Sequence, residues 1–237
     1  MEITPDAVIY FQWNGIHLNA TIIFTWLVML VLVLISWLAT KDLKVGPDIS
    51  RWQTSLEVII NYIRQQIKEI TQQNPDQFIP FLGSLFLFIS ISNLLAIVSG
   101  YHPPTGSLST TAALAICVFF AIPIFGIGKI GVKNYLKQYL EPSVLMLPFN
   151  IIGELSRTLA LAVRLFGNIM SGTLVAGILL IIVPLFVPII MQILGLLIGQ
   201  IQAYIFTVLA TVYIASATQA ESELQQKNNN EGSEKNE

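Results

Sequence analysis

The sequence predicts an all-α integral membrane protein. Of the 237 residues, 54% are hydrophobic and only 11% are charged, whereas an ordinary soluble domain carries roughly 25% charged residues. Apolar residues are concentrated in segments of about 20 or more, the length that a helix needs to cross a bilayer. The longest segment follows Arg164, after which no charged residue occurs before Glu221. A large soluble core is therefore excluded.

The N-terminal half of the chain is predicted to hold three spanning helices and one helix on the membrane surface. Residues 21–40 form the first span. In residues 51–73, apolar residues recur at helical spacing opposite charged ones, which is the pattern of an interfacial amphipathic helix. Spans at 79–99 and 109–128 follow and form a two-helix hairpin.

The C-terminal half is predicted to form two long membrane helices. Each apolar arm exceeds the roughly 20 residues that a perpendicular helix needs, so strong tilt is expected. The tip between the arms is placed at Pro184 to Pro188. The predicted organisation is an outer N-terminal segment 1–20, N-terminal helices 21–142, a C-terminal helical hairpin 143–220 and a polar disordered tail 221–237.

Lysine and arginine indicate the orientation of the chain. None occurs in the first forty residues or in 99–108, whereas Lys129, Lys133 and Lys137 follow the third span. Cytoplasmic loops carry the excess of these residues. The N-terminus is therefore predicted to lie outside and the C-terminus in the cytoplasm.

Arg164 is the main candidate functional residue because a charged side chain at a bilayer centre costs roughly 2.5–3.5 kcal/mol even on the mildest scale. It belongs to a polar stripe whose members step by 4, 3, 7 and 4 along one helical face: Asn150, Glu154, Arg157, Arg164 and Asn168. For Glu154 and Arg157 an ordinary ion pair at the interface is the alternative. Arg164 lies too deep for that interpretation.

The second arm offers a matching small and polar face. Gln192, Gly195, Gly199 and Gln202 step by 3, 4 and 3 along it. Folding the hairpin near residues 183–186 brings Gln202 within about a turn of Arg164, where its carbonyl could hold the guanidinium, and brings Gln192 near Thr173. For the glycines, close helix packing without a transport role is the alternative.

Four segments carry a resemblance to a known family: LSRTLALAVRLFGNIMSG at 155–172, GQIQAYIFTVLATVYIASA at 199–217, FIPFLGSLFLFISISNLLAIVSG at 78–100 and PPTGSLSTTAALAI at 103–116. They resemble subunit a of the membrane sector of F-type ATP synthases, which implies that 143–220 is an ion-translocating helical hairpin. No motif covers residues 1–20 or 221–237. In that family two long tilted helices face a rotating ring of c subunits, and two offset half-channels reach the ring carboxylates.

The resemblance implies a role for each candidate residue. The arginine of the RLFGN motif, here Arg164, separates the half-channels, with Asn168 and Gln202 as its polar neighbours. With the predicted orientation, the cytoplasmic half-channel is lined by Asn150, Glu154 and Arg157, and the outer one by Thr173 and Gln192. The implied partners are the c ring, the peripheral-stalk b subunits, the F1 head through the complex and the lipid bilayer, with H⁺ or Na⁺ as the transported ion and no nucleic acid. The implied location is a bacterial plasma membrane, or a thylakoid membrane in a photosynthetic source.

The sequence departs from the family pattern in the outer half-channel. Many members carry a carboxylate where Thr173 stands, or a titratable partner on the second arm, where this chain has Gly195. Either water held by Thr173, Gln192 and Tyr204 relays protons, which is the default expectation, or the ion is Na⁺. The segment GELSRTLALAVRLFGN also loosely resembles the divergent N-type branch of rotary ATPases.

The main alternative is an ion channel or secondary transporter that works alone. The absence of an inverted repeat and of a second acidic site disfavours it, and a structural scaffold would leave Arg164 unexplained. The sequence shows no nucleotide-binding loop, zinc-ligand spacing or nucleophile constellation, so no cofactor or metal is expected and any ATP chemistry belongs to other subunits. Cys117 is expected to be a packed side chain.

Overall fold

The computed structural model describes residues 6, 9–13, 16–41, 51–98, 100–132, 135, 146–182 and 187–234. Their elements are β1 (Ile9–Trp13), β2 (Ile16–Asn19), α1 (Ala20–Thr40), α2 (Arg51–Thr71), α3 (Ile79–Leu94), α4 (Leu108–Ile130), α5 (Met146–Ile182) and α6 (Val187–Glu234). Short 3-10 turns at Pro75–Gln77, Leu95–Ile97 and Pro104–Gly106 complete them. Lys133, Lys137 and residues 184–186 of the predicted hairpin tip lie outside the described residues.

Five helices of the described chain are long and apolar enough to cross a membrane, which confirms the all-α membrane fold. They are Ala20–Thr40, Ile79–Ile97, Leu108–Lys129, Leu147–Ile182 and Ile189–Thr218. The last two contain 36 and 30 residues and so measure about 54 and 45 Å at 1.5 Å per residue. Because the hydrocarbon core is about 30 Å thick, helices of this length must tilt strongly to remain in it.

The predicted interfacial helix is α2. Ile67 is buried on the face turned toward the rest of the protein, whereas Arg64, Lys68 and Glu69 are exposed. The helix ends at Thr71, two residues before the predicted end, because Gln72 adopts a positive φ of 53°, which a helix cannot continue. Arg64 then pairs with Asp76 at 2.5 Å and ties α2 to the turn before α3.

Two features differ from the sequence-based expectation. The outer N-terminal segment contains a short antiparallel hairpin, in which Trp13 pairs with Ile16 and Phe11 with Leu18. The tail predicted to be disordered is helical as far as Glu234. Extending an existing helix fixes one residue for each new hydrogen bond, and the Glu, Gln and Lys residues of this tail are good helix formers.

The hydrophobic core lies where α3 and α4 pack on the long pair α5 and α6. Its largest fully buried side chains include Phe78, Leu82, Ile89, Leu165 and Phe206. Small residues on α6, among which Ala203 and Ala210 are 0% exposed, let neighbouring helices approach closely. In contrast, α1 contacts α3 and the turn at 104–106, and most of its apolar surface is uncovered. The core therefore fixes α5 against α6, the two helices that carry the candidate site.

Candidate functional site

The predicted polar stripe lies on a single uninterrupted helix, α5. Leu161 and Leu165 of this helix are buried, whereas Arg157, Arg164 and Asn168 are exposed. The stripe therefore faces away from the core of the chain, as the stepping of its residues predicts.

Arg164 sits in the middle of an uncovered apolar surface. Leu159 and Val163 of α5 are 64% and 53% exposed, and Leu197 and Ile201 of α6 are 53% and 49% exposed. Within the described part of the chain, the Arg164 guanidinium has no hydrogen bond and no salt bridge. A guanidinium keeps its positive charge in proteins. At membrane depth such a charge requires a partner anion or water. The uncovered surface around Arg164 leaves room for such a partner.

Asn168 and Gln202 join the two long helices next to Arg164. The Asn168 Nδ2 donates to Gln202 Oε1 at 2.6 Å, and Gln202 is 2% exposed. The Gln202 carbonyl therefore holds Asn168, one turn beyond Arg164, instead of the guanidinium that the sequence suggested. The Gln202 Nε2 is buried and has no partner among the described residues. An unmade hydrogen bond of this kind costs about 1–3 kcal/mol, so this amide is poised to donate to a further polar group.

A cavity of about 410 Å³ lies on one side of this pair, between α5, α6 and the end of α3. Its polar lining residues are Asn93, Tyr101, Asn168, Thr173 and Gln192. We call it the outer cavity, after the side to which the lysine distribution assigns it. It brings together the two residues that the sequence places in the outer half-channel, and none of its described lining residues is an aspartate, glutamate or histidine.

Hydrogen bonds fix the walls of the outer cavity. The Gln192 Nε2 donates to the Ile97 carbonyl oxygen at 3.0 Å, which ties α6 to the end of α3. The Thr173 hydroxyl donates to the Met170 carbonyl oxygen of its own helix. This bond uses only the hydroxyl hydrogen, so the Thr173 oxygen remains able to accept from water in the cavity.

Tyr204 does not belong to the outer cavity, contrary to the water relay that the sequence suggested. Its hydroxyl donates to the Gln66 Oε1 of the interfacial helix at 2.9 Å. Tyr204 is two residues beyond Gln202, and two residues rotate a helix by about 200°. The two side chains therefore leave α6 in nearly opposite directions.

A second cavity, of about 320 Å³, opens at the start of α5. It is lined by Phe149, Asn150, Gly153, Glu154, Arg157, Ser216 and Ala217. We call it the inner cavity. The three residues that the sequence assigns to the cytoplasmic half-channel share this cavity, and the Arg157 guanidinium lies over the Tyr213 ring, 5.8 Å from its centroid.

A packed apolar layer separates the two cavities. Leu161 and Leu165 of α5 and Ala203 and Phe206 of α6 are all 1% exposed or less, and all four fall between the inner and the outer lining residues along their helices. Arg164 lies at the level of this layer on the uncovered side. The arrangement is two polar cavities at different depths, and between them lies Arg164, which has no partner among the described residues.

Sequence reasoning missed one buried polar residue, Asn93 of α3. Its Nδ2 donates to the Gly199 carbonyl oxygen at 2.9 Å, and its Oδ1 accepts from the Thr105 hydroxyl at 2.7 Å. One turn before it, Ser90 exchanges two hydrogen bonds with Gln200. An asparagine inside an apolar span was the available signal, because polar groups in a membrane need partners.

Comparison with known proteins identifies the family. A family model described as ATP synthase A chain matches residues 22–215, which include all five spans apart from the ends of the first and the last. The chain belongs to this family. Among curated proteins, it is 61% identical to ATP synthase subunit a 1 of Crocosphaera subtropica over 216 residues, covering 91% of this chain and 94% of the relative. It is 54% identical to ATP synthase subunit a of Nitrosospira multiformis over 234 residues, covering 99% and 93%.

Membership of the ATP synthase A chain family decides between the function classes left open by hydropathy. The chain is a multi-pass membrane protein that serves as the stator subunit of the membrane sector of an ATP synthase. A channel or transporter that works alone is no longer needed to explain its five apolar helices. The roles of individual residues are a separate question, and the two cavities and Arg164 provide the physical basis for answering it.

Proposed function

We propose that Arg164 is the fixed charge that couples ion flow to rotation in this ATP synthase subunit. The observation that carries the proposal is an unpaired guanidinium on an uncovered apolar surface, level with the packed layer between two polar cavities. A surface of this kind fits a partner that brings one anion at a time to Arg164. A ring of c subunits with one ion-binding carboxylate each has that property.

The electrostatics of the site give Arg164 two roles. A carboxylate attracts the guanidinium only after it has released its ion, and two unit charges 4 Å apart interact by about 4 kcal/mol at an effective dielectric constant of about 20. The same positive charge opposes the passage of H⁺ or Na⁺ between the cavities. Each ring carboxylate therefore loses its ion on one side, passes Arg164 as an anion and reloads on the other side.

The two cavities supply the half-channels. Asn150, Glu154 and Arg157 line the route to the cytoplasm, and Thr173 and Gln192 line the route to the outside. Asn168 and Gln202 connect the two helices one turn beyond Arg164 and so fix α5, which carries Arg164, against α6. This assignment follows the orientation given by the lysine distribution, with the N-terminus outside and the C-terminus in the cytoplasm.

The uncovered surfaces support a proposal for the remaining partners. The face of α5 and α6 around Arg164 receives the c ring, and the uncovered apolar surface of α1 faces lipid or the peripheral-stalk b subunits. The F1 head is reached through the assembled complex. The membrane is a bacterial plasma membrane, or a thylakoid membrane in a photosynthetic source.

The transported ion is H⁺ in this proposal, with Na⁺ and the N-type branch as the second candidate. The observation that favours Na⁺ is the lack of any acid among the described residues of the outer cavity, whose amide and hydroxyl oxygens suit a hydrated cation. Water held by the same oxygens also conducts protons, so the outer cavity accommodates both ions.

The replacement Arg164→Ala tests the proposal in the assembled complex. We expect ATP-driven ion pumping into inverted vesicles to disappear while blue-native electrophoresis still shows the intact complex. Arg164→Lys should restore little pumping, because burial lowers the pKa of an ammonium group so that it loses its proton, whereas a guanidinium keeps its proton. The matched control is Arg64→Ala, which removes an exposed arginine that is paired with Asp76 and lines neither the inner nor the outer cavity. Normal pumping by Arg164→Ala would refute the assignment.

A further inference from the structure

Three buried polar groups lie together on the outer side of the protein, beside the outer cavity. We call Ser92, Tyr101 and His102 the outer polar cluster. The Ser92 Oγ, the Tyr101 Oη and the His102 Nδ1 are all buried and have no hydrogen-bond partner among the described residues. In folded proteins such atoms almost always bind protein groups or ordered water. The cluster is therefore a site built to hold water.

The position of the cluster is fixed by packing. The Phe24 ring of α1 contacts the Tyr101 ring edge-on, with centroids 4.8 Å apart, and lies 6.2 Å from the His102 ring. Ser92 is 0% exposed on α3. Tyr101 also lines the outer cavity, beside Asn93. The cluster therefore reaches from the outer loop to the wall of the cavity.

Among the described residues, Asp6 brings a carboxylate to this side of the protein, and both of its oxygens already accept hydrogen bonds. The Asp6 Oδ1 accepts from the Thr21 hydroxyl and its Oδ2 from the Ser107 hydroxyl, both at 2.6 Å. These bonds tie the N-terminal segment to the starts of α1 and α4. Asp6 therefore acts as a structural clamp, and the ionisable groups of the outer polar cluster are Tyr101 and His102.

The two rings differ in their chemistry. Burial raises the pKa of Tyr101 to about 12, an effect that the nearby Ser92 hydroxyl partly offsets, although the two hydroxyls do not reach hydrogen-bonding geometry. The phenol therefore keeps its proton at physiological pH and can orient water without titrating. An imidazole ring, in contrast, carries one nitrogen that donates a proton and one that accepts a proton. His102 is half-buried, with Nδ1 enclosed and the residue still reaching solvent.

We propose that His102 is the proton-exchanging residue at the mouth of the outer cavity, with Tyr101 and Ser92 ordering the water between its ring and the cavity. The inference rests on the proposed function, and it supplies the titratable group that the cavity lining lacks. One ring nitrogen accepts a proton from outer water and the other releases one to the ordered water. The ring then returns to its starting tautomer, so that one proton moves inward and none is gained or lost.

The test compares two histidine replacements in the intact complex reconstituted into liposomes. The chain contains two histidines, and His17 on β2 provides the matched control. ATP synthesis driven by an imposed potential is measured while the pH on the outer side varies from about 5 to about 8, the range in which imidazole exchanges protons. We expect His102→Gln to lower the rate about tenfold at the upper end and less than about twofold at the lower end, where protons are abundant. His17→Gln should follow the unmodified protein throughout.

A second variant tests the ordered water. Tyr101→Phe keeps the ring contact with Phe24 but removes the hydroxyl, and we expect a smaller loss with the same pH dependence. A loss that is equal at every pH, or a His102→Gln complex that matches His17→Gln, would overturn the relay. So would a rate that follows Na⁺ and not pH. Arg164→Ala, measured in parallel, separates the two proposals: if it uncouples while His102→Gln is normal, only the relay fails, and if it stays coupled, the proposed function itself fails.

Discussion

The replacement Gly199→Ala tests whether Asn93 holds α6 in place. A Cβ at position 199 would lie 3.1 Å from the Asn93 Cβ and 3.2 Å from its Cγ and Nδ2. Asn93 is 3% exposed and bonded to Thr105 and to the Gly199 carbonyl, so it cannot turn aside without losing buried hydrogen bonds. Overpacking costs about 1–3 kcal/mol and a displaced buried hydrogen bond about 1–3 kcal/mol, against a gain of about 1 kcal/mol for alanine in a helix. The net loss in stability is therefore about 1–5 kcal/mol.

The matched control is Gly195→Ala, one turn earlier on the same helix. A Cβ at Gly195 meets nothing within 4 Å, so this variant should be as stable as the unmodified protein or more stable by about 1 kcal/mol. The assay heats the purified complex and follows its dissociation by blue-native electrophoresis, with pumping measured alongside. Combining Gly199→Ala with Asn93→Ala should recover part of the loss, because it opens the space that the new methyl group needs. Equal dissociation temperatures for the two single variants would refute the reasoning.

Two further predictions concern the two cavities. With Cys117 replaced, Asn150→Cys and Glu154→Cys should react with a membrane-impermeant maleimide added from the cytoplasmic side. Leu159→Cys lies on the uncovered apolar surface and should react much more slowly, because an apolar environment disfavours the reactive thiolate. Equal labelling rates would place the inner half-channel elsewhere. If the complex is coupled to H⁺, its ATPase activity should not depend on Na⁺, and Na⁺ should not protect the ring carboxylate from a carbodiimide. Thr173→Glu should then be tolerated or raise the rate of ATP hydrolysis. Na⁺-dependent activity together with protection from the carbodiimide would assign the outer cavity to Na⁺.

The sequence predicts the membrane helices well because apolar length alone defines them. The first span is confirmed to within one residue, at Ala20–Thr40. The two long C-terminal helices are confirmed by the spans Leu147–Ile182 and Ile189–Thr218, each longer than a perpendicular span. The amphipathic segment is confirmed as α2 because its charged and apolar residues segregate strongly around a helix. In each case the sequence signal is local. In the spanning segments a helix is required, because the lipid interior offers unpaired backbone groups no water to bind.

Contacts between distant segments could not be predicted in the same way. The partner of Gln202 is Asn168, one turn away from the expected Arg164. Helical spacing predicts how far along its helix a residue lies, but it does not predict which side chains reach hydrogen-bonding geometry. Tyr204 was misplaced because its direction from α6 was not considered together with the position of α2. The clamp formed by Asp6 depends on a residue 101 positions away in the chain, Ser107, and no periodic pattern records such a pairing.

The central claim is that Arg164 is the charge that separates the two half-channels, and a leak measurement tests it most directly. The c ring is immobilised by modifying its carboxylates with a carbodiimide, and passive ion flow through the membrane sector is driven by an imposed potential. The unmodified chain and the Arg64→Ala control should remain sealed. Arg164→Ala should conduct, because no fixed cation then opposes ion passage between the inner and the outer cavity. An immobilised Arg164→Ala complex that is as tight as the unmodified one would contradict the account.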